Sequence, residues 1–180
     1  MPGRLYAIVG PSGAGKDTLM EAVAPHLPGL VMARRVITRP AAAGGEDFDG
    51  VSETEFDRRL AAGDFALHWA AHGLRYGVPI SIEEDMAADR DVAFNGSRAA
   101  LAEAAARYPS LRVLHITAKI EVLAERLAAR GRETAEDIAA RLRRADTGLP
   151  QGLKVITIDN SGDLQDAVNA LLTAFHPERT

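Results

Sequence analysis

Apolar residues gather in short blocks along the chain, separated by glycine, proline and charged stretches. The first block, Leu5-Tyr6-Ala7-Ile8-Val9, is a short apolar run that reads as a strand. After a glycine-rich turn, Leu19-Met20-Glu21-Ala22-Val23-Ala24 reads as a helix that starts at about Lys16. Pro25 and Pro28-Gly29 then make a turn, and Leu30-Val31-Met32-Ala33 predicts a buried second strand. Ser52 with Glu55 three places later forms a capping box; Phe56 and Leu60 follow at helical spacing, so 53–62 is a helix ended by Gly63. Phe65 to Ala70 and Leu74 to Gly77 are strands joined by the His72-Gly73 turn. Pro79 suits a first helical position and predicts a helix there. Val92 to Asn95 is a strand, 99–108 a helix, and Leu111 to Thr117 a strand with a buried, parallel character. Glu121 to Arg130 is a helix ending at Gly131, and Thr134 with Asp137 caps another running to about Ala145. The strand Lys154 to Ile158 and the helix Leu164 to Phe175 complete the series.

This alternation predicts an α/β fold: three layers, with a parallel central sheet. The block 34–77 breaks the rhythm and reads as a small α/β insert that would hold an acceptor. A single domain is expected from 180 residues, and 47% hydrophobic content argues against disorder. The chain has no cysteine, hence no disulfide and no thiolate metal site. A net charge of −4 offers no general basic surface for nucleic acid. The apolar run at the N-terminus is too short for a signal peptide or a membrane span, so the expectation is a cytoplasmic protein with no membrane partner. It would be a monomer or a homodimer.

The sharpest chemistry lies between the first strand and the first helix. Gly10-Pro11-Ser12-Gly13-Ala14-Gly15-Lys16-Asp17-Thr18 carries the G-x-x-x-x-G-K spacing of a P-loop, in the strand–turn–helix context that such a loop requires. The glycines let the backbone wrap a polyphosphate so that successive N–H groups point inward. The helix that follows adds the positive end of its dipole, and Lys16 reaches the outer phosphates. The usual next residue is Ser or Thr, whose hydroxyl holds magnesium; here it is Asp17, with Thr18 one place later. A carboxylate is also a hard ligand, so Asp17 and Thr18 would place Mg²⁺, directly or through water. ATP and Mg²⁺ are the expected cofactors.

Arg34-Arg35-Val36-Ile37-Thr38-Arg39-Pro40 holds three arginines and a threonine, a composition that suits a second phosphate site, with Arg39 the foremost candidate. Ala41 to Gly50 is a glycine-rich, acidic loop. Asn95, Ser97 and Arg98 sit where a strand opens into a helix, the place where open α/β sheets bind ligands. Arg126, Arg130, Arg132, Arg141, Arg143 and Arg144 surround one hinge. They form either a solvated face paired with Glu125, Glu133 and Glu136, or a lid that brings arginines onto the transferring phosphate. His68 has two readings, a donor to an acceptor phosphate or a half-buried strand residue; His72 reads as a turn residue. Trp69 and Tyr76 read as packing first, Tyr76 also being placed for a phosphate contact. Asn160 lies on a loop that could reach the donor base.

Over nearly the whole chain these residues resemble the guanylate kinases. The resemblance rests on Gly10–Lys16, Thr38-Arg39-Pro40, Val51-Ser52 with Phe56, Phe65 to Trp69, His72 to Gly77, Arg126-Leu127…Arg130-Gly131 and Ile138…Arg141-Leu142. It implies a core of 1–33 with 78–180, an acceptor-binding insert at 34–77 and a lid at about 126–146. The departures are informative. Guanylate kinases read guanine with a glutamate just before the tryptophan, here His68, and with a small hydroxylated residue after the Tyr-Gly pair, here Val78. Phe48 stands for the tyrosine that binds the acceptor phosphate, an alanine for a second arginine, and Ala93-Phe94-Asn95 for an Asp-x-Asp strand end. A site built to hydrogen-bond a group rejects analogues by orders of magnitude when those contacts are lost, so GMP looks like the wrong acceptor.

Gly-Lys-Asp, Arg35 to Pro40, Gly44-Gly45-Glu46-Asp47, Leu67-His68-Trp69, His72 to Gly77 and Asn95-Gly96-Ser97-Arg98 together resemble a sister family, the ribose 1,5-bisphosphate phosphokinases of bacterial phosphonate catabolism. That resemblance implies ATP-dependent conversion of ribose 1,5-bisphosphate to 5-phospho-α-D-ribose 1-diphosphate. By it, Lys16, Arg130 and Arg141 are catalytic, residues 10–18 hold the nucleotide, and Arg39, Arg75, Tyr76, His68, Asn95 and Arg98 hold the acceptor. The alternatives are a nucleoside monophosphate kinase of altered specificity and a guanylate kinase-like module that only binds protein. Retention of Lys16, Arg130 and Arg141 argues for catalysis.

Overall fold

A computed structural model describes residues 2–11, 13–40, 48–131, 133–145 and 148–175. The chain divides into two compact units, Met1–Ile8 with Gly29–Val113, and Val9–Pro28 with Leu114–Thr180. The division falls inside the strands β1 (Leu5–Val9) and β8 (Arg112–Thr117).

In the first unit β2 (Val31–Met32), β7 (Val92–Asn95) and β1 lie side by side in that order. Both pairings are parallel, with Leu5 opposite Val92 and Val31 opposite Val92 from the other side. All of β1 is buried. The expected buried strand at 30–33 is corrected: β2 has two residues at the edge of its sheet, and Met32 is exposed. Its apolar composition signalled a strand, but the sheet order that leaves one flank open is not a local property.

A second, four-stranded sheet, ordered β4-β3-β6-β5, occupies the interrupting block. Its strands are β3 (Val36–Ile37), β4 (Asp49–Gly50), β5 (Phe65–Ala71) and β6 (Leu74–Pro79). The helix α2 (Glu53–Ala61) begins where the capping signal placed it, with Ser52 Oγ accepting from the Glu55 N–H at 3.1 Å. Phe56 packs with Val36 and Phe65, the Phe rings 4.7 Å apart, and gives this sheet a core of its own. His72 and Gly73 both adopt positive φ, 55° and 74°, as a tight hairpin turn requires. Pro79 does not open a helix: it ends β6 opposite Phe65, a strand end being tolerant of a residue without an N–H. The helix α3 starts at Ile82 (Ile82–Ala87) and α4 spans Arg98–Arg107.

The second unit holds α1 (Lys16–Val23), α5 (Ile120–Ala128), α6 (Ala135–Ala145), β9 (Lys154–Asp159) and α7 (Leu164–Phe175). Leu19 and Val23 of α1 and Leu171 and Phe175 of α7 are buried in its core. Ala124 of α5 and Ile138 and Ala139 of α6 form a separate apolar cluster, edged by Leu127, Ala128 and Leu142. Thr134 Oγ1 accepts from the Asp137 N–H at 3.2 Å, the expected cap of α6. Among the described residues no helix is long and apolar enough to cross a membrane.

Candidate active site

The phosphate loop belongs to the second unit. A Cβ on Gly10 would lie 2.1 Å from the Ile116 carbonyl oxygen, so only glycine lets the chain leave β1 this close to β8. Gly13 and Gly15 have φ of 86° and 85°, the left-handed region that side chains avoid. The Ala14 N–H closes the turn onto the Pro11 carbonyl at 3.2 Å. Helix α1 starts at Lys16, its first internal bond running from the Leu19 N–H to the Gly15 carbonyl. The first turn of a helix leaves its N–H groups without intrahelical acceptors, and no side chain caps this one. These N–H groups and the helix dipole suit an anion. Ser12 lies outside the described residues.

Two side chains hold the loop from outside. Asn160 is buried, and its Nδ2 donates to the Ala14 carbonyl at 2.7 Å. Arg126 on α5 donates from Nη1 to the Gly13 carbonyl at 2.9 Å and from Nη2 to the Asn160 carbonyl at 2.7 Å. The Asn160 amide thus faces the loop backbone. Neither contact was legible in the sequence, because 113 residues separate Arg126 from Gly13 and no local pattern links them.

Asp17 and Thr18 occupy the first turn of α1 with exposed side chains. Among the described residues no cluster of three or more His, Asp or Glu could hold a metal unaided. One carboxylate and one hydroxyl beside a phosphate loop fit Mg²⁺, which is commonly held by one or two carboxylates and the phosphates themselves.

The hinge arginines are distributed unequally. Arg141 Nη1 pairs with both carboxylate oxygens of Glu133 at 2.8 and 2.9 Å, and Arg143 pairs with Glu121 at 3.2 Å. Arg130, one residue beyond the C-cap of α5, is exposed and makes no side-chain ion pair among the described residues. Glu133 therefore does pair with an arginine, but from the turn before α6 to Arg141 on α6, eight residues on, and not at i,i+4 spacing. Arg132 lies outside the described residues.

The acceptor candidates belong to the first unit. Arg34 Nη2 donates to the Phe48 carbonyl at 3.2 Å, the Arg35 guanidinium lies 5.0 Å over the Tyr76 ring, and that of Arg39 lies 4.4 Å over the Phe48 ring. Trp69 and Tyr76, directly paired across β5 and β6, stack with centroids 5.5 Å apart. Gly77 next to them is tightly fitted, since a Cβ there would meet the Phe65 ring at 2.6 Å. His68 is exposed, which removes the reading of a half-buried strand residue. Arg75 bonds Asp57 at 2.5 Å and Glu53 at 3.3 Å and lies 4.4 Å over the Phe56 ring. Chiefly the Asp57 bond raises its pKa, and a phosphate there would compete with two carboxylates. Asn95 ends β7 half-buried, Ser97 is the N-cap of α4, and Arg98 is its exposed first residue. Trp69 Nε1 and Ser97 Oγ are buried without a hydrogen-bond partner. An orphaned buried polar atom costs ~1–3 kcal/mol, a reason for a polar ligand or water nearby. The polar handle of the Trp69 ring went unused in the sequence reading, which took the ring as packing. The segment Gly44-Gly45-Glu46-Asp47 lies outside the described residues.

Strand, glycine loop and helix in this order place the chain among the P-loop nucleotide-binding proteins. The guanylate kinase family model matches residues 2–178, and the chain belongs to that family. It is 48% identical over 178 residues to a ribose 1,5-bisphosphate phosphokinase of Ruegeria sp. strain TM1040, covering 98% of this chain and 94% of the relative. It is 49% identical over 179 residues to a ribose 1,5-bisphosphate phosphokinase of Pseudomonas fluorescens, with 96% and 94% covered. Among solved structures, guanylate kinase from Anaplasma phagocytophilum matches with a TM-score of 0.71 at 18% identity, over 99% of this chain and 87% of that one. That likeness bears on the fold, and it agrees with the expected α/β architecture and mostly parallel central sheet.

Proposed function

We propose that this chain transfers the γ-phosphoryl group of Mg·ATP to ribose 1,5-bisphosphate, giving ADP and 5-phospho-α-D-ribose 1-diphosphate, as a step of phosphonate catabolism. The observation that carries the reading is the near-full-length identity of 48% to a ribose 1,5-bisphosphate phosphokinase. Three acceptor-unit side chains support it: His68 is exposed, Val78 is fully buried, and Phe48 is buried beneath the Arg39 guanidinium. None of them offers the contacts with which guanylate kinases read GMP, whereas the arginines remain to bind a sugar with two phosphates.

In the proposed mechanism, loop N–H groups from Ser12 to Thr18, other than the Ala14 N–H that bonds the Pro11 carbonyl, hold the β-phosphate, and Lys16 bridges the β- and γ-phosphates. Asp17 and Thr18 would hold Mg²⁺, which supplies positive charge against the phosphate oxygens. Arg39 binds an acceptor phosphate, with Arg75, Tyr76, His68, Asn95 and Arg98 as further contacts. Trp69 Nε1 and Ser97 Oγ add two orphaned polar atoms to the same unit. An oxygen of the 1-phosphate attacks the γ-phosphorus; the bond from that phosphorus to the bridging oxygen breaks, and ADP leaves. The attacking oxygen is already ionised at neutral pH, so no general base is required. Arg130 and Arg141 neutralise charge on the moving phosphoryl group, and Arg141 must first leave Glu133.

The test is ADP release from Mg·ATP with ribose 1,5-bisphosphate or GMP as acceptor. Turnover only with the sugar bisphosphate is expected. Turnover only with GMP would make the chain a divergent guanylate kinase.

A further inference from the structure

We propose that Arg126 and Asn160 are positioning residues that set the peptide planes of the phosphate loop and thereby determine how tightly it holds the β-phosphate of a nucleotide. The proposal rests on the loop binding a nucleotide, and it adds to that reading how the loop is held in shape.

In a trans peptide the C=O of one residue and the N–H of the next point in opposite directions. The Gly13 carbonyl is fixed by Arg126 at 2.9 Å and the Ala14 carbonyl by Asn160 at 2.7 Å. With both oxygens turned to the side of Arg126 and Asn160, the N–H groups of Ala14 and Gly15 turn to the other side. The Ala14 N–H is engaged by Pro11 within the loop. The Gly15 N–H then continues into the open first turn of α1. The second prong of Arg126 closes a ring: it bonds the Asn160 carbonyl at 2.7 Å, which fixes the residue whose side chain holds Ala14. The Asn160 N–H bonds the Thr117 carbonyl at 2.6 Å and anchors that ring to the end of β8.

The packing leaves little freedom. A Cβ on Gly15 would lie 2.6 Å from Asn160 Nδ2, and one on Gly13 would lie 3.3 Å from Leu127 Cγ, the residue next to Arg126. Glycine at position 15 is therefore favoured by the close approach of Asn160 as well as by φ, and at position 13 chiefly by φ. Asn160 is the one buried polar or charged residue among the described residues, and its amide makes this contact. Arg126 is bound to two carbonyl oxygens, a demand that suits a planar two-pronged donor and not a point charge.

The experiment is calorimetric titration of ADP into the intact protein, compared for wild type, Arg126→Ala, Arg126→Lys, Asn160→Ala and the double alanine variant. It needs no acceptor, so its outcome is independent of which sugar or nucleotide is phosphorylated; absence of ADP binding in the wild type would instead remove the nucleotide reading itself. The expected result is an ADP Kd raised roughly tenfold or more in each alanine variant, from the loss of charged or buried hydrogen bonds. Arg126→Lys should recover only part of the loss, because one ammonium cannot span both carbonyls. The double variant should lose less than the product of the single losses, because both residues belong to one ring. Full recovery in Arg126→Lys would overturn the proposal, since it would show that charge and not bracing matters. An unchanged Kd in folded Asn160→Ala, which alters no charge, would overturn it equally. Should Arg126→Ala fail to fold, Asn160→Ala and Arg126→Lys decide the question alone.

Discussion

In the proposed reaction the phosphate loop and the acceptor sheet meet the same kind of ligand by opposite means. In the proposed loop site most of the binding groups are main-chain N–H groups, and Asn160 and Arg126 hold the loop carbonyls that set their direction. In the acceptor sheet the candidate binding groups are the side chains themselves, and several already hold other partners: Arg75 pairs with Asp57 and Glu53, Arg39 rests on Phe48, Arg35 on Tyr76. A backbone site is intolerant where glycine is needed and indifferent elsewhere. A side-chain site can change its ligand one residue at a time. That contrast explains why the loop keeps its spacing while Phe48, His68 and Val78 depart from the guanylate kinase pattern.

The comparison can be broken most severely at Lys16. Lys16→Met should lower kcat by roughly 10²–10³-fold, the size expected for one preorganised charge, with the acceptor KM unchanged. Steady-state kinetics with each substrate varied in turn would show it; a parallel rise in acceptor KM would mean that the two sites are not separable. Arg39→Ala is the complementary change. It should raise the acceptor KM about tenfold or more and leave the ADP Kd untouched. A change in nucleotide affinity instead would remove Arg39 from the acceptor site.

The smallest effect belongs to Glu55, whose bonds to Arg58 and then Arg59 hold its carboxyl at about 2, below the ordinary 4.5. A lowered carboxylate pKa stabilises the folded state above about 4.5, and the gain disappears as pH falls toward 2. Because the Arg58 pair is exposed and the Arg59 pair only half-buried, Glu55→Gln should lower Tm at neutral pH by no more than a few degrees. The difference from wild type should shrink in acid, and thermal melts between neutral pH and pH 3 would detect a difference that did not.

The two regions were also unequally legible. The loop was plain from Gly10 to Thr18 because its chemistry is written in consecutive residues; Gly15 and Lys16 fall where the spacing placed them. The caps at Ser52 and Thr134 were legible for the same reason. What failed depended on distant neighbours. Val31 and Met32 gave an apolar signal, but their place at a sheet edge is set by β7 alone, some sixty residues on. Pro79 fits a helix start as well as a strand end, and its pairing with Phe65 decided for the strand. The carboxylate partners of Arg75, Asp57 and Glu53, were not legible beside it because they lie on another element, α2.

The cluster of Val36, Phe56 and Phe65 has a consequence on the scale of descent. A small sheet with an apolar interior of its own can keep that interior while its outward residues drift, so substitutions such as those at His68 need no matching change in the phosphate loop. A lineage could in this way retain an ancestral energy source and try one acceptor after another, each trial costing a few surface codons.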